Sequence, residues 1–272
     1  MFLDLIRFLR VNQWYKNLVV FLAIVASGNL FDASMLGLAI AGFFILCMVS
    51  SSYYVVNDVA DRKRDMFHPE KCGRPVAAGK IKPWLAIIIA AVLLFFSLMF
   101  SAALSVLFFW AAGFLFAFTI LYTFVLKRII FIDMISIGVN FFVRAVAGAL
   151  IIVVWVSPYL VVLPFFFSLY LSAGKRYSDL MFSGQNHYGK GLLKALVWVF
   201  FILLIGSFMA YCFAVHPSFL WTLPVVVYAL LRYNRLIFSG SKTARKTELI
   251  FADLRLLISM IACILVVLAV LY

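Results

Sequence analysis

The feature that most limits what this chain can become is a series of long apolar runs separated by short charged loops. A helix that crosses a bilayer needs about 20 mostly apolar residues. Nine stretches qualify, at 13–31, 34–57, 83–103, 106–126, 131–153, 158–175, 191–213, 217–237 and 253–272. Pro83, Pro158 and Pro217 open three of them, at first-turn positions where a missing N–H costs nothing. With 67% hydrophobic and only 12% charged residues, the chain lacks the polar coat of a soluble domain. The expectation is an all-α, polytopic membrane protein of about nine transmembrane helices, built as a single integral-membrane domain over 1–272.

The charges sort by side. All but one of the 23 Lys and Arg fall in the N-terminal segment (Arg7, Arg10, Lys16) or in alternate loops, from Arg62 to Lys82, at Lys127 and Arg128, from Lys175 to Lys194 and from Arg232 to Arg255. The opposite loops, near 29–33, 104, 154–157 and 214–216, carry none. This segregation predicts a cytoplasmic N-terminus and basic face in a bacterial inner membrane. It accounts for the +13 net charge through topology, so no nucleic-acid partner is invoked. Asp4, Arg7, Arg10 and Lys16 break the apolar pattern expected of a secretory leader. The four cysteines have no metal-type spacing and read as small apolar residues.

The remaining cation, Arg144, lies mid-run in the fifth stretch, where hydrocarbon would not tolerate it unpaired. Acids are scarcer still. Four of the ten, Asp58, Asp61, Asp65 and Glu70, fall in one loop, NDVADRKRDMFHPEKCGRPVAAG. If the second run stays helical past Asn57, the three aspartates at i, i+3 and i+7 share a face. Clustered carboxylates repel unless a cation sits among them, and hard oxygen ligands with open positions suit Mg²⁺ bridging to phosphates. Lys71 and Arg74 follow, adding fixed positive charge for a diphosphate. A solvated loop that only enforces topology would explain Arg62, Lys63 and Arg64, but not regularly spaced aspartates. A second polar cluster, Lys175, Arg176, Tyr177 and Asp179, stands at the end of the sixth run and reads as phosphate ligands with one further acid. His68 is a possible proton-transfer group.

These residues resemble a known family. NDVADRKRD is similar to the NDxxDxxxD motif of the UbiA superfamily of nine-helix membrane prenyltransferases, and HPEKCGRPVAAG to the continuation found in its decaprenyl-phosphate phosphoribosyltransferase subgroup. RVNQWYKN at 10–17, the segment from Leu121 to Ala149 that contains Tyr122, GKRYSDL at 174–180 and TELIFADLRLL at 247–257 resemble the same subgroup. The resemblance implies transfer of 5-phosphoribose from phosphoribosyl diphosphate to a polyprenyl phosphate. Asn57, Asp58, Asp61 and Asp65 would then bind Mg²⁺, with Lys71, Arg74 and Lys175 on phosphates. Lys16, Tyr122, Lys127, Arg144, Arg176 and Asp179 would be further substrate contacts. The alternative is prenyl transfer from a prenyl diphosphate to an aromatic acceptor. That chemistry leads one to expect a second aspartate pair where GKRYSDL offers only Asp179, itself standing where the subgroup leads one to expect Glu. A lipid transporter would instead concentrate charge within the bilayer.

Overall fold

A computed structural model describes residues 2–155, 157–184 and 188–271, and among these every regular element is helical. In chain order the α-helices are α1 (Phe2–Phe8), α2 (Phe21–Ala26), α3 (Ala33–Ala60), α4 (Arg62–Asp65), α5 (Pro83–Leu104), α6 (Val106–Phe124), α7 (Ile132–Ile152), α8 (Pro158–Ser183), α9 (Lys190–Ala214), α10 (Leu223–Phe238), α11 (Lys242–Arg245) and α12 (Leu254–Leu271). Seven among the described residues are long and apolar enough to cross a membrane: α3, α5, α6, α7, α8, α9 and α12.

The other two expected crossings have a different form. The run at 13–31 is a 3₁₀ stretch, Val11–Val20, followed by the short α2. The run at 217–237 begins with a 3₁₀ turn, Pro217–Thr222, before α10. Ten residues of 3₁₀ helix is unusual, because its hydrogen-bond geometry is poorer than that of the α-helix. Side-chain bonds anchor the stretch on α3: Trp14 Nε1 donates to Ser51 Oγ at 3.0 Å, and Asn17 Nδ2 to Ser50 Oγ at 3.3 Å.

Two of the three prolines expected to open helices start long α-helices. Pro83 and Pro158 occupy the first turns of α5 and α8. Asp32 caps α3, accepting from the amides of Ser34 and Met35 at 2.9 Å each, and Ser105 caps α6.

The helices form two compact units. The first contains Met1–Ser136 and Val143–Trp155; the second contains Ile137–Phe142 and Val156–Tyr272. In the first, α3 packs along α5 and also meets α6 and the 3₁₀ stretch. Gly148 on α7 permits the closest approach, since a Cβ there would lie 2.2 Å from the carbonyl oxygen of Val20. Backbone cannot yield as a side chain can, so this glycine seats the 3₁₀ stretch against α7. The polar segment after α4 is also fixed: Val76 is buried with Phe8, Val55, Ala86 and Ala90. In the second unit, α8 packs on α9, α10 and α11, and α10 packs on α12. The four cysteines are free thiols, with Cys47 and Cys212 buried.

Candidate diphosphate site

The aspartate-rich motif sits where α3 ends. Helical hydrogen bonding continues through the junction, from Asp61 N to Asn57 O and from Asp65 N to Asp61 O, both at 2.9 Å. The chain therefore keeps its helical hydrogen bonding across Asp61 into α4. Carboxylates at a helix C-terminus face the negative end of its dipole, so they need cations. Asp58 is 3% exposed and Asp65 fully buried, which rules out a solvated loop.

Each carboxylate has such a partner. Arg10 grips Asp58 with both arms of its fork, Nη2 on Oδ1 and Nε on Oδ2, the latter at 3.2 Å. Arg74 Nη1 bridges Asp58 Oδ1, at 3.1 Å, and Asp65 Oδ2. The i and i+7 aspartates thus converge on one guanidinium, as a shared helix face requires. Asp61 turns instead to Lys127, whose Nζ lies 2.8 and 3.0 Å from its two oxygens and 3.5 Å from Asn57 Oδ1. Exposed Arg64 adds a contact to Asp61 at 3.2 Å.

Deeper in the same unit, buried Arg144 donates from Nε to Asn17 Oδ1 at 2.8 Å and from Nη2 to the Tyr53 hydroxyl at 2.5 Å. It lies one helical turn before Gly148, so the close approach of the 3₁₀ stretch delivers Asn17 to it. Lys16 lies half-buried beside the ring of Tyr15, and Tyr122 and Lys71 are half-buried. His68 accepts at Nδ1 from the amide of Glu70 at 3.1 Å. Burial and then the Lys71 charge lower its pKa, so it stays neutral near pH 7 and braces the turn. Lys80 holds Asp4 at 2.7 Å, tying α1 to the loop and drawing the Asp4 carboxyl below its usual range.

The second cluster lies in the second unit. Arg176 bonds the hydroxyl and carbonyl of Ser172 and stacks on the ring of Tyr188 at 5.8 Å. Asp179 accepts from Arg245 Nε at 3.4 Å, while the Arg245 guanidinium covers the ring of Phe182 at 3.6 Å. Tyr177 is buried and Lys175 exposed.

The UbiA prenyltransferase family matches residues 18–254. The chain belongs to that family. The decaprenyl-phosphate phosphoribosyltransferase of Mycolicibacterium smegmatis is 31% identical to this UbiA protein over 239 residues, 85% of this chain and 70% of that one. The enzyme of the same description from Mycobacterium tuberculosis is 29% identical over 244 residues, 87% and 76%. A UbiA homolog from Archaeoglobus fulgidus bound to DMAPP and Mg²⁺ superposes with a TM-score of 0.73 at 19% identity, over 98% of each chain. The fold is that of the UbiA transferases.

The aspartate spacing points to Mg²⁺ as the ion these side chains would hold. Among the described residues no three His, Cys, Asp or Glu groups are gathered to hold an ion by themselves. The donor chemistry nevertheless fits a Mg²⁺ that keeps waters and shares substrate phosphates. The oxygens are hard, and the buried Asp65 Oδ1 has no hydrogen-bond partner. Among the described residues Asp58 Oδ2 accepts one bond, which leaves one lone pair open.

Sequence reasoning about the UbiA motif missed Arg10 as a site residue and Arg245 as the partner of Asp179. Arg10 has φ 50° and ψ 44°, left-handed values that cost a non-glycine residue on the order of 1–3 kcal/mol and gather at functional sites. Its place in RVNQWYKN was the available signal, but nothing there announces the backbone turn.

Proposed function

We propose that this UbiA protein transfers 5-phosphoribose from phosphoribosyl diphosphate to a polyprenyl phosphate and releases diphosphate, on the cytoplasmic face of a bacterial inner membrane. What carries the reading is that both relatives described above are decaprenyl-phosphate phosphoribosyltransferases and each aligns over most of this chain. The cations around the carboxylates support it, because donor and acceptor both bring phosphates.

Breaking the C1–O bond puts negative charge on the departing diphosphate while the ribose ring gains oxocarbenium character. Stabilising that charge with preorganised cations is the largest tool such a site has. Bound Mg²⁺ would supply neutralisation of the diphosphate, held by Asp58, Asp61 and Asp65 with Asn57 beside them. Arg74 and Lys127 then turn their charge toward phosphate oxygens, with Lys71 beside them on the same loop. Lys16 and Arg144 are the first unit's candidates for the 5-phosphate or the lipid phosphate, and Tyr122 adds a hydroxyl. Lys175 and Arg176, with Asp179, are the second unit's. The acceptor phosphate is already an anion, so no strong general base is needed; His68, neutral and engaged with a backbone amide, is not asked to be one. The apolar helices offer the isoprenoid tail a membrane environment.

Purified protein in detergent, given labelled phosphoribosyl diphosphate, a polyprenyl phosphate and Mg²⁺, moves label into the lipid phase. A chelator reduces this to background and added Mg²⁺ restores it. Transfer that persists in chelator would remove the metal from the account, and no transfer at any metal concentration would remove the activity.

A further inference from the structure

We infer that Arg10 is a specificity-determining residue that makes this site accept metal together with diphosphate while rejecting the bare cation. The inference rests on the diphosphate site described above and adds a residue and a binding order to it.

The argument is a balance of charge and lone pairs. Three carboxylates, Asp58, Asp61 and Asp65, are met at ion-pair distance by three half-buried cations, Arg10, Arg74 and Lys127. Exposed Arg64 adds a further positive charge at the rim. A free divalent cation approaching this cluster therefore meets no net negative charge. It also meets ligands that are partly engaged: Asp58 Oδ1 accepts from both Arg10 and Arg74, which fills its two lone pairs, and Oδ2 accepts from Arg10 Nε, which leaves one lone pair there and the Asp65 Oδ1 atom open. A metal that arrives with a diphosphate changes both terms. Its phosphate oxygens offer Arg74, Lys127 and Arg10 new acceptors, and the carboxylates are released to the metal.

Arg10 controls this exchange for three structural reasons. Among the described residues it alone of the three cations sets two separate nitrogen donors on one carboxylate, whereas Lys127 reaches both oxygens of Asp61 from a single nitrogen. Tyr54 supports its guanidinium from the side, 5.0 Å from ring centroid to Cζ. Its left-handed backbone aims the side chain at Asp58 from a separate segment, 48 residues away.

The test measures binding of Mn²⁺ alone, and of Mn²⁺ with inorganic diphosphate, to the full-length protein in detergent by electron paramagnetic resonance. Wild-type protein binds the pair much more tightly than the metal alone. Arg10→Gln, which removes the charge, tightens binding of the bare metal and weakens binding of metal–diphosphate, each by about tenfold or more. Arg10→Lys keeps the charge and loses the fork; it leaves bare-metal binding near wild type and weakens metal–diphosphate binding by a smaller factor. A purely structural role for Arg10 would move both affinities of the Gln variant in the same direction, and that result overturns the inference. Wild-type protein that binds neither probe would overturn the diphosphate reading itself. Wild-type protein that binds the pair, with Gln and Lys variants indistinguishable from it, overturns only the role given to Arg10.

Discussion

Asp61→Asn lowers kcat/KM for phosphoribosyl transfer by about 10²–10³-fold while leaving the protein folded. The amide has the shape of the carboxylate but half its acceptor capacity and none of its charge. Lys127 then keeps one hydrogen bond, so the junction between α3 and α4 holds. What is lost is a hard anionic ligand and the counter-charge that positions Lys127 toward phosphate. Steady-state kinetics with varied phosphoribosyl diphosphate measure the first effect, and thermal unfolding in the same detergent measures the second. Retention of more than about a tenth of the wild-type rate would move the metal to other ligands. Loss of folding would make Asp61 a structural acid.

Arg74→Ala has the opposite profile, with stability as its main readout. Among the described residues its guanidinium is the only hydrogen-bond partner of the buried Asp65 carboxylate, whose other oxygen already lacks one. Removing one member of a buried ion pair costs about 3–5 kcal/mol, because the survivor is left as an uncompensated charge. Asp58 is less affected, since Arg10 still holds both of its oxygens. The segment from Met66 to Lys82 is the part expected to open, although Val76 still anchors it in the apolar cluster beneath. Adding Asp65→Asn to the Arg74→Ala protein recovers part of the loss, because the orphaned charge is gone. Detergent unfolding curves for the two single variants and the double variant check this. Additive losses would mean that Arg74 and Asp65 do not act as a pair.

These two residues also show what could be read from sequence and what could not. The spacing of Asp58 and Asp65 announced a shared helix face, and their shared guanidinium is what that face produces. The apolar runs and their prolines foretold α5 and α8, because helix periodicity and a missing N–H are local properties. The run at 13–31 has the composition of a crossing but becomes a 3₁₀ stretch. Its form depends on Gly148, more than a hundred residues away, and on hydroxyls of α3 that accept from Trp14 and Asn17. The carboxylate contacts of Arg74 were not legible, since buried acids take the nearest donors that folding supplies. Arg10 was hidden for the same reason. Its importance follows from a backbone conformation and a long-range contact, neither of which composition or spacing encodes.

The choice of donor is the central claim, and one competition experiment addresses it directly. Purified protein would receive Mg²⁺ with equal amounts of phosphoribosyl diphosphate and a prenyl diphosphate carrying different labels, together with a polyprenyl phosphate and an aromatic acceptor. The account predicts that the phosphoribosyl label enters the polyprenyl phosphate and that the prenyl label stays in its diphosphate. Prenyl label on the aromatic acceptor, with no phosphoribosyl label in the lipid, would keep the UbiA fold and contradict the reaction proposed for it.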